Sequence, residues 1–131
     1  MNLSKETTTI ILSAASKALA TDGPAGLNVV PVSVVSMIDG KIMLYNFFMN
    51  KTVKNISVPN TPVALTCWDG LMGVQVRARA THYTKGDAFT AAESEMKEKF
   101  PERNLKGIIE LTPTAVYDIS ADEAKAGKRL G

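Results

Sequence analysis

The residue types best suited to catalysis or metal binding are scarce in this chain, which has one cysteine, Cys67, and one histidine, His82. A single thiol cannot form an internal disulfide, and a single imidazole leaves no histidine cluster for a metal site. Nothing around His82 resembles the nucleophile elbow of a serine hydrolase. Cys67 lies within the apolar stretch 63–68, so we predict a buried structural thiol. Redox chemistry in this chain therefore requires an organic cofactor.

A lysine–threonine pair, Lys51-Thr52, stands at the predicted start of a short helix over 50–56, with Asn50 as the candidate N-cap. A helix start presents unpaired backbone N–H groups and the positive end of the helix dipole, which suit a phosphate group. Lys51 would add a point charge and Thr52 a hydroxyl. Since every helix start offers this geometry, an exposed first turn without a ligand is the alternative interpretation.

The strand predicted over 72–84 alternates between apolar and polar residues. The apolar set is Val74, Val76, Ala78 and Ala80, and the polar set is Gln75, Arg77, Arg79 and Thr81. Alternation of this kind places the apolar set on the core face and the polar set on the opposite face. Alternate residues are about 6.6 Å apart, so the polar row is suited to a groove or a subunit interface. A solvated sheet face is the alternative.

Most of the chain has the character of β-strands joined by tight turns. β-Branched residues dominate from Gly26 to Ile38, and both alternating faces are largely apolar, so we predict one strand covered on both sides. Pro31 has no N–H to donate, which places it at a bulge or beside an unpaired edge. Asp-Gly pairs at 39–40 and 69–70 predict hairpins. The other predicted strands are 41–47, 63–68, 72–84, 107–111 and 114–120, the last two interrupted by Pro113.

Two longer amphipathic segments complete the pattern. The apolar spacing from Ser4 to about Ala20 predicts a helix with Ser4 as N-cap, and segment 87–100 predicts another. Six or seven strands with helices outside them predict an antiparallel β-barrel with helical cover. A strand that is apolar on both faces needs more cover than two short helices supply, so we expect a homodimer interface at segment 26–38.

The composition is that of an ordinary globular domain. The 131 residues are 45% hydrophobic and 21% charged, and 15 basic against 13 acidic residues leave a net charge of +2. This length predicts a single domain over 1–131. The balanced charge argues against nucleic-acid binding, and no apolar run is long enough to span a bilayer. The polar N-terminus lacks the layout of a signal peptide, so we expect a cytoplasmic protein.

Several segments carry a resemblance through their order and spacing. They are the Pro-containing strand Asn28–Val32, the Asp39-Gly40 hairpin, Asn50–Ile56 with its Lys-Thr-x-x-Asn sequence, Pro62–Leu65 and Gly73–Ala80. Together they resemble the FMN-binding split-barrel family related to pyridoxamine 5′-phosphate oxidase, over roughly residues 10–120. The resemblance implies a mainly β protein with peripheral helices, folded as a six- to seven-stranded antiparallel split β-barrel. It also implies that segment 16–21 is a strand rather than part of a helix.

The resemblance further implies FMN as the cofactor, held between the two protomers of a homodimer. Lys51 and Thr52 would contact its phosphate. The strand Val30-Pro31-Val32-Ser33 would approach the ribityl chain and the flavin ring with its backbone. Asn46 and Phe47 would line the ring pocket, and Gln75 would reach the flavin from the same protomer or from its partner.

These features favour a small FMN flavoprotein that works as an electron carrier or as a flavin-dependent reductase. The first alternative is a pyridoxamine phosphate oxidase-like enzyme acting on an unidentified small molecule. The arginine-rich C-terminal motif of the true oxidases is not evident in this chain. The second alternative is a non-enzymatic barrel that binds another ligand. The sequence leaves the electron donor and the electron acceptor open.

Overall fold

A computed structural model describes all residues, Met1–Gly131, as seven β-strands and three helices. The helices are α1 (Lys5–Ser13), α2 (Lys51–Asn55) and α3 (Asp87–Lys99). The strands are β1 (Ser16–Thr21), β2 (Asn28–Pro31), β3 (Val35–Ile38), β4 (Lys41–Asn46), β5 (Thr61–Asp69), β6 (Met72–Tyr83) and β7 (Gly107–Asp118). None of the three helices has the length and apolar character that crossing a membrane requires.

All seven strands form one antiparallel sheet in the order β2-β1-β5-β6-β7-β4-β3. β2 and β3 are consecutive in the chain, yet they occupy opposite edges of this sheet. The peptide steps from Pro31 to Val35 reach at most about 14 Å, so the two edges must come close together at this point. The sheet therefore curls into a barrel with one open seam, which confirms the predicted antiparallel split β-barrel.

The strands bury two hydrophobic clusters, the barrel cluster and a smaller cluster under α3. Side chains on the two faces of β4 contribute to both clusters. Ile42 and Leu44 belong to the barrel cluster, whereas Met43, Tyr45 and Phe47 pack in the cluster under α3. Because both faces of β4 are covered, the end of this strand is held firmly on either side.

Cys67 lies on β5 with its side chain fully buried in the barrel cluster. Burial raises the pKa of its thiol to about 11, because the charged thiolate would lose its hydration there. The thiol therefore stays protonated at neutral pH and serves as a packing residue. This confirms the prediction of a buried structural cysteine.

The N-terminal segment differs from the helix that periodicity predicts over Ser4 to Ala20. Helix α1 begins after Ser4, whose Oγ accepts a hydrogen bond from the Thr7 N–H at 3.0 Å, and it ends at Ser13. Residues Ser16–Thr21 form β1, as the family resemblance implies. Periodicity misleads here because β1 is held by pairing with β2 and β5, and a local apolar spacing does not report such pairing.

The prediction of a single strand from Gly26 to Ile38 is wrong. The segment forms two strands, β2 and β3, separated by the connection 32–34. Both are edge strands with half-exposed or exposed side chains, so neither is covered on both faces within the protomer. Pro31 does lie on the edge strand β2, where its missing N–H is tolerated.

β7 is one continuous strand, and the predicted interruption at Pro113 is wrong. The ladder with β6 shifts its register at this point. Ala78 pairs with Pro113 and Arg77 pairs with Ala115, which leaves Thr114 as an extra residue. The proline is accommodated because the ladder is irregular at this bulge.

The turn that joins β1 to β2 is fastened by Asn55, the last residue of α2. Its buried side-chain amide donates to Thr21 Oγ1 (3.1 Å) and to the Gly26 carbonyl (2.7 Å). Its Oδ1 accepts a hydrogen bond from the Ala25 N–H at 2.8 Å. A Cβ at Gly23 would meet Asn55 atoms at 3.0 Å, so the turn lies directly against this residue. Asn55 therefore fixes the edge strand β2 relative to α2.

Replacing Asn55 with alanine should lower the free energy of unfolding by about 2–3 kcal/mol, because three polar groups of the turn lose their partner. Urea denaturation followed by circular dichroism measures this change. The matched control is Lys54→Ala, an exposed position on the same helix, for which we expect a change within about 0.5 kcal/mol. Equal stability of Asn55→Ala and the wild type would contradict this role.

Candidate functional site

An open groove of about 570 Å³ lies at the seam of the barrel, where the edge strand β2 approaches the end of β4. One wall consists of Asn28 and Val30–Ser33, and the other consists of Tyr45 and Phe47–Lys51. We call this surface the seam groove. Its position follows from the short connection 32–34, which brings the two walls together.

The lining of the seam groove is mostly apolar and carries a single charge. Val30, Pro31 and Val32 supply the aliphatic wall, and Phe47 and Phe48 supply aromatic rings to the other wall. The Phe48 side chain is 77% exposed, so its ring is available to a ligand. The one charged residue of the lining is the lysine at the first position of α2.

The free edge of β2 adds main-chain hydrogen-bonding groups beside the groove. The Val32 N–H donates to the Lys17 carbonyl at 3.0 Å, which sets the register of the pairing with β1. Antiparallel pairing alternates, so the polar backbone groups of Val29 and the carbonyl of Pro31 point away from β1. No strand lies beyond β2 in the sheet. These groups are therefore available to a ligand or to a partner chain.

Six of the nine residues predicted to bind the cofactor line the seam groove together, namely Val30, Pro31, Val32, Ser33, Phe47 and Lys51. Asn46, Thr52 and Gln75 do not line it. Five further lining residues are absent from the prediction, namely Asn28, Tyr45, Phe48, Met49 and Asn50. Of these, Tyr45 has a usable sequence signal, because it lies two residues before Phe47 and therefore on the same face of the strand predicted over 41–47.

Asn46 is buried at the end of β4 and shapes one wall of the groove. Its Oδ1 accepts a hydrogen bond from the Met49 N–H at 2.8 Å, which closes the turn that carries Phe47 and Phe48. Its Nδ2 lies 3.5 Å from Nε2 of His82, and burial lowers the pKa of this histidine. A neutral imidazole can accept from the amide. Contact of Asn46 with a flavin ring stays a prediction.

Thr52 is completely buried, and its Oγ1 accepts a hydrogen bond from Asn28 Nδ2 at 3.0 Å. This bond joins the start of α2 to the start of β2, the elements that carry opposite walls of the groove. Asn50 occupies the predicted N-cap position, but its side chain makes no capping hydrogen bond and its backbone lies in the helical region. Contact of Lys51 and Thr52 with a phosphate stays a prediction.

Gln75 lies elsewhere, on the polar face of β6. It lines a second groove of about 430 Å³ together with Arg77 and Arg79, and this outer groove shares no residue with the seam groove. The Gln75 Oε1 accepts a hydrogen bond from Arg77 Nε at 2.8 Å. The guanidinium of Arg77 lies 5.6 Å from the ring centroid of Tyr117. Within one protomer, Gln75 is therefore not part of the seam groove.

The seam groove suits a flat, largely apolar ligand with one anionic group. Its volume of about 570 Å³ falls within the usual range for cofactor pockets. The walls fit an aromatic ring system, the free edge of β2 offers hydrogen bonds to the polar rim of such a ring, and Lys51 offers a cation. FMN combines these features. No three His, Cys, Asp or Glu side chains lie close enough together to hold a metal ion.

The chain folds as a split barrel with a ligand-sized groove at its seam, and comparison with known proteins identifies its family. The family model for pyridoxamine 5′-phosphate oxidase matches residues 3–125. An uncharacterized protein of Methanocaldococcus jannaschii is 32% identical over 109 residues, covering 79% of this chain and 70% of that protein. The chain belongs to the pyridoxamine 5′-phosphate oxidase family.

Solved structures share the fold at low sequence identity. HupZ of Group A Streptococcus gives a TM-score of 0.80 at 17% identity, covering 98% of this chain and 99% of that chain. An FMN-binding protein of Syntrophomonas wolfei subsp. wolfei gives 0.75 at 16% identity, covering 91% and 87%. HutZ, the heme storage protein of Vibrio cholerae, gives 0.65 at 15% identity, covering 89% and 94%. These likenesses establish the fold, and the fold alone does not select the cofactor.

Proposed function

We propose that this protein binds FMN in the seam groove and uses it for redox chemistry, as a small electron carrier or a flavin-dependent reductase. The observation that supports this most strongly is the lining of the groove. Apolar and aromatic walls, a free strand edge and one cation, Lys51, occur there together. Membership of the oxidase family and the FMN-binding neighbour from Syntrophomonas wolfei add support.

Each part of the groove has its own task toward the cofactor. FMN itself supplies the capacity to accept and donate electrons or hydride. Val30, Val32 and the rings of Phe47 and Phe48 exclude water from the flavin ring, and main-chain groups at the β2 edge orient its polar rim. Lys51 holds the phosphate by a charge-assisted hydrogen bond, with backbone N–H groups at the start of α2 as further donors.

The visible absorption spectrum of the purified protein, recorded after incubation with excess FMN and desalting, tests the proposal. We expect flavin bands at a stoichiometry of one cofactor to one protomer. Hemin is titrated in parallel, because HutZ shares the fold. A protein that retains no FMN, or that shows a heme band without flavin bands, would overturn the proposal. If FMN is retained, rapid reduction by a nicotinamide cofactor identifies a reductase rather than a carrier.

Replacing Lys51 with alanine should weaken FMN binding about tenfold or more and leave riboflavin binding unchanged, because only FMN carries a phosphate. Hydrogen bonds to charged groups contribute about 1.5–3 kcal/mol, and about 1.4 kcal/mol corresponds to a factor of ten. Fluorescence titration of the apoprotein with both flavins measures the two dissociation constants.

The matched control for this substitution is Lys54→Ala. Lys54 is an exposed lysine on the same helix, and it does not line the seam groove. This variant should bind both flavins as the wild type does. Unchanged FMN binding in Lys51→Ala would show that Lys51 does not contact the phosphate. An equal loss of affinity for FMN and for riboflavin would show a general effect on the groove instead.

We further propose that the protein is a homodimer with the seam groove at its interface. Phe48 in the seam groove and Val29 on the edge strand β2 leave apolar surface uncovered, with exposures of 77% and 68%, and Leu27 in the outer groove is 87% exposed. The unpaired edge of β2 lies in the same region. A second protomer would cover this surface. Gln75 in the outer groove of that second protomer would then approach the flavin.

Val29→Glu should convert the dimer to a monomer and reduce FMN retention, because the interface would bury a carboxylate without a partner. Sedimentation equilibrium at micromolar concentration measures the mass, and desalting after FMN incubation measures retention. Val58→Glu is the matched control, since Val58 is 67% exposed and does not line the seam groove. This control should remain dimeric. A wild-type protein that sediments as a monomer would refute the dimer.

A further inference from the structure

Arg103, in the loop between α3 and β7, makes contacts that neither the barrel nor the proposed phosphate site requires. Its guanidinium carbon lies 4.3 Å from the ring centroid of Phe100 and 5.2 Å from that of Phe47. The two rings are 5.9 Å apart in an edge-to-face arrangement. The guanidinium is therefore held by a pair of aromatic side chains through cation–π contacts.

Arg103 makes no ion pair, although Glu93 and Glu98 line the same surface pocket. The two ion pairs of the structure are Lys41–Glu110 and Lys99–Glu95, and Arg103 takes part in neither. Its side chain is half-buried, so its charge is screened less than that of a fully exposed arginine. Because Phe47 lines the seam groove, the guanidinium of Arg103 lies one side chain away from it.

The same loop also holds the wall of the groove in place. The Lys106 N–H donates to the Asn46 carbonyl at 2.8 Å, which fastens the loop to the end of β4. The residue that follows β4 is Phe47, whose ring is in contact with Arg103 and Phe100. A ring with aromatic and cationic neighbours on a fastened backbone has few orientations available. Arg103 is therefore one of the contacts that fix the orientation of this wall.

We propose that Arg103 is a positioning residue of the cofactor site that acts through Phe47. Its stacking fixes the groove wall, and its charge raises the reduction potential of bound FMN, so this inference rests on the proposed function. Reduction of the flavin ring by two electrons with uptake of one proton adds one negative charge, which a nearby cation stabilises. Arg103 does not line the groove, and it is therefore not a catalytic residue.

The test compares wild type, Arg103→Met and Arg103→Lys, each loaded with FMN. Dithionite titration against a reference dye measures the reduction potential, and fluorescence titration measures the affinities for FMN and riboflavin. Arg103→Met should lower the reduction potential, because the positive charge is lost. It should also weaken the binding of FMN and of riboflavin about two- to fivefold, because the ring contact is lost. Arg103→Lys should keep the potential closer to that of the wild type than Arg103→Met does, since it retains a positive charge, although an ammonium group loses the planar stacking of the guanidinium.

Lys97→Met is the matched control, because Lys97 and Arg103 line the same surface pocket and Lys97 takes part in no cation–π contact. It should leave the potential and both affinities unchanged. A potential that is the same in Arg103→Met and wild type, or equally lowered in the Met and Lys variants, would overturn the role of Arg103. A wild-type protein that does not retain FMN would overturn the proposed function itself. Failure of the Arg103 inference and failure of the proposed function are therefore distinguishable.

Discussion

The three-residue connection 32–34 between the two edge strands is the constraint on which the rest of the molecule depends. In a flat seven-stranded sheet these edges would lie about 28 Å apart, which three residues cannot span. The sheet must therefore curl until its edges nearly meet. This closure brings β2 against the end of β4, and the seam groove is the gap that remains where the barrel stays open. The fold and the candidate site consequently have one physical origin.

A small number of side-chain hydrogen bonds hold this gap at its width. Thr52 at the start of α2 accepts a hydrogen bond from Asn28 at the start of β2. Asn55 fastens the turn before β2, and Asn46 closes the turn after β4. Each of these polar groups is buried or partly buried and must find a partner. Each hydrogen bond therefore fixes the relative position of the two groups it joins, as well as adding stability. The apolar walls could slide against each other, whereas the bonds between amides, hydroxyls and backbone groups allow one arrangement.

Elements with a regular local pattern could be predicted from the sequence, and elements defined by distant partners could not. The alternation along β6 is strict, and its apolar residues are buried as predicted. Segment 26–38 is largely apolar, so nothing local shows that it divides between β1 at one edge and β4 at the other. Pro113 predicts a strand interruption when only the sequence is considered, because the register shift that accommodates this proline depends on pairing with β6.

The candidate site follows the same rule. The six predicted residues that lie together come from two short segments, 30–33 and 47–51, whose apolar, aromatic and basic side chains are evident in the sequence. Thr52 has a side chain suited to a ligand, but its hydroxyl is engaged in a structural hydrogen bond that sequence cannot reveal. Gln75 lies in the outer groove, and only the proposed dimer would bring it near the seam groove. Arg103 could not be found, because folding alone brings it to the rings of Phe47 and Phe100.

The strand order also bears on the kinetics of folding. Leu19 pairs with Leu65 and Leu44 pairs with Ile109, so central ladders join segments that are far apart in the chain. Closing such loops costs entropy before the contacts compensate for it, which makes folding slow relative to helical proteins of similar size. The seam groove requires both edges of the sheet and is complete only when these ladders are in place. A ligand that binds there therefore binds only chains that have finished folding, and by mass action it retains them in that state.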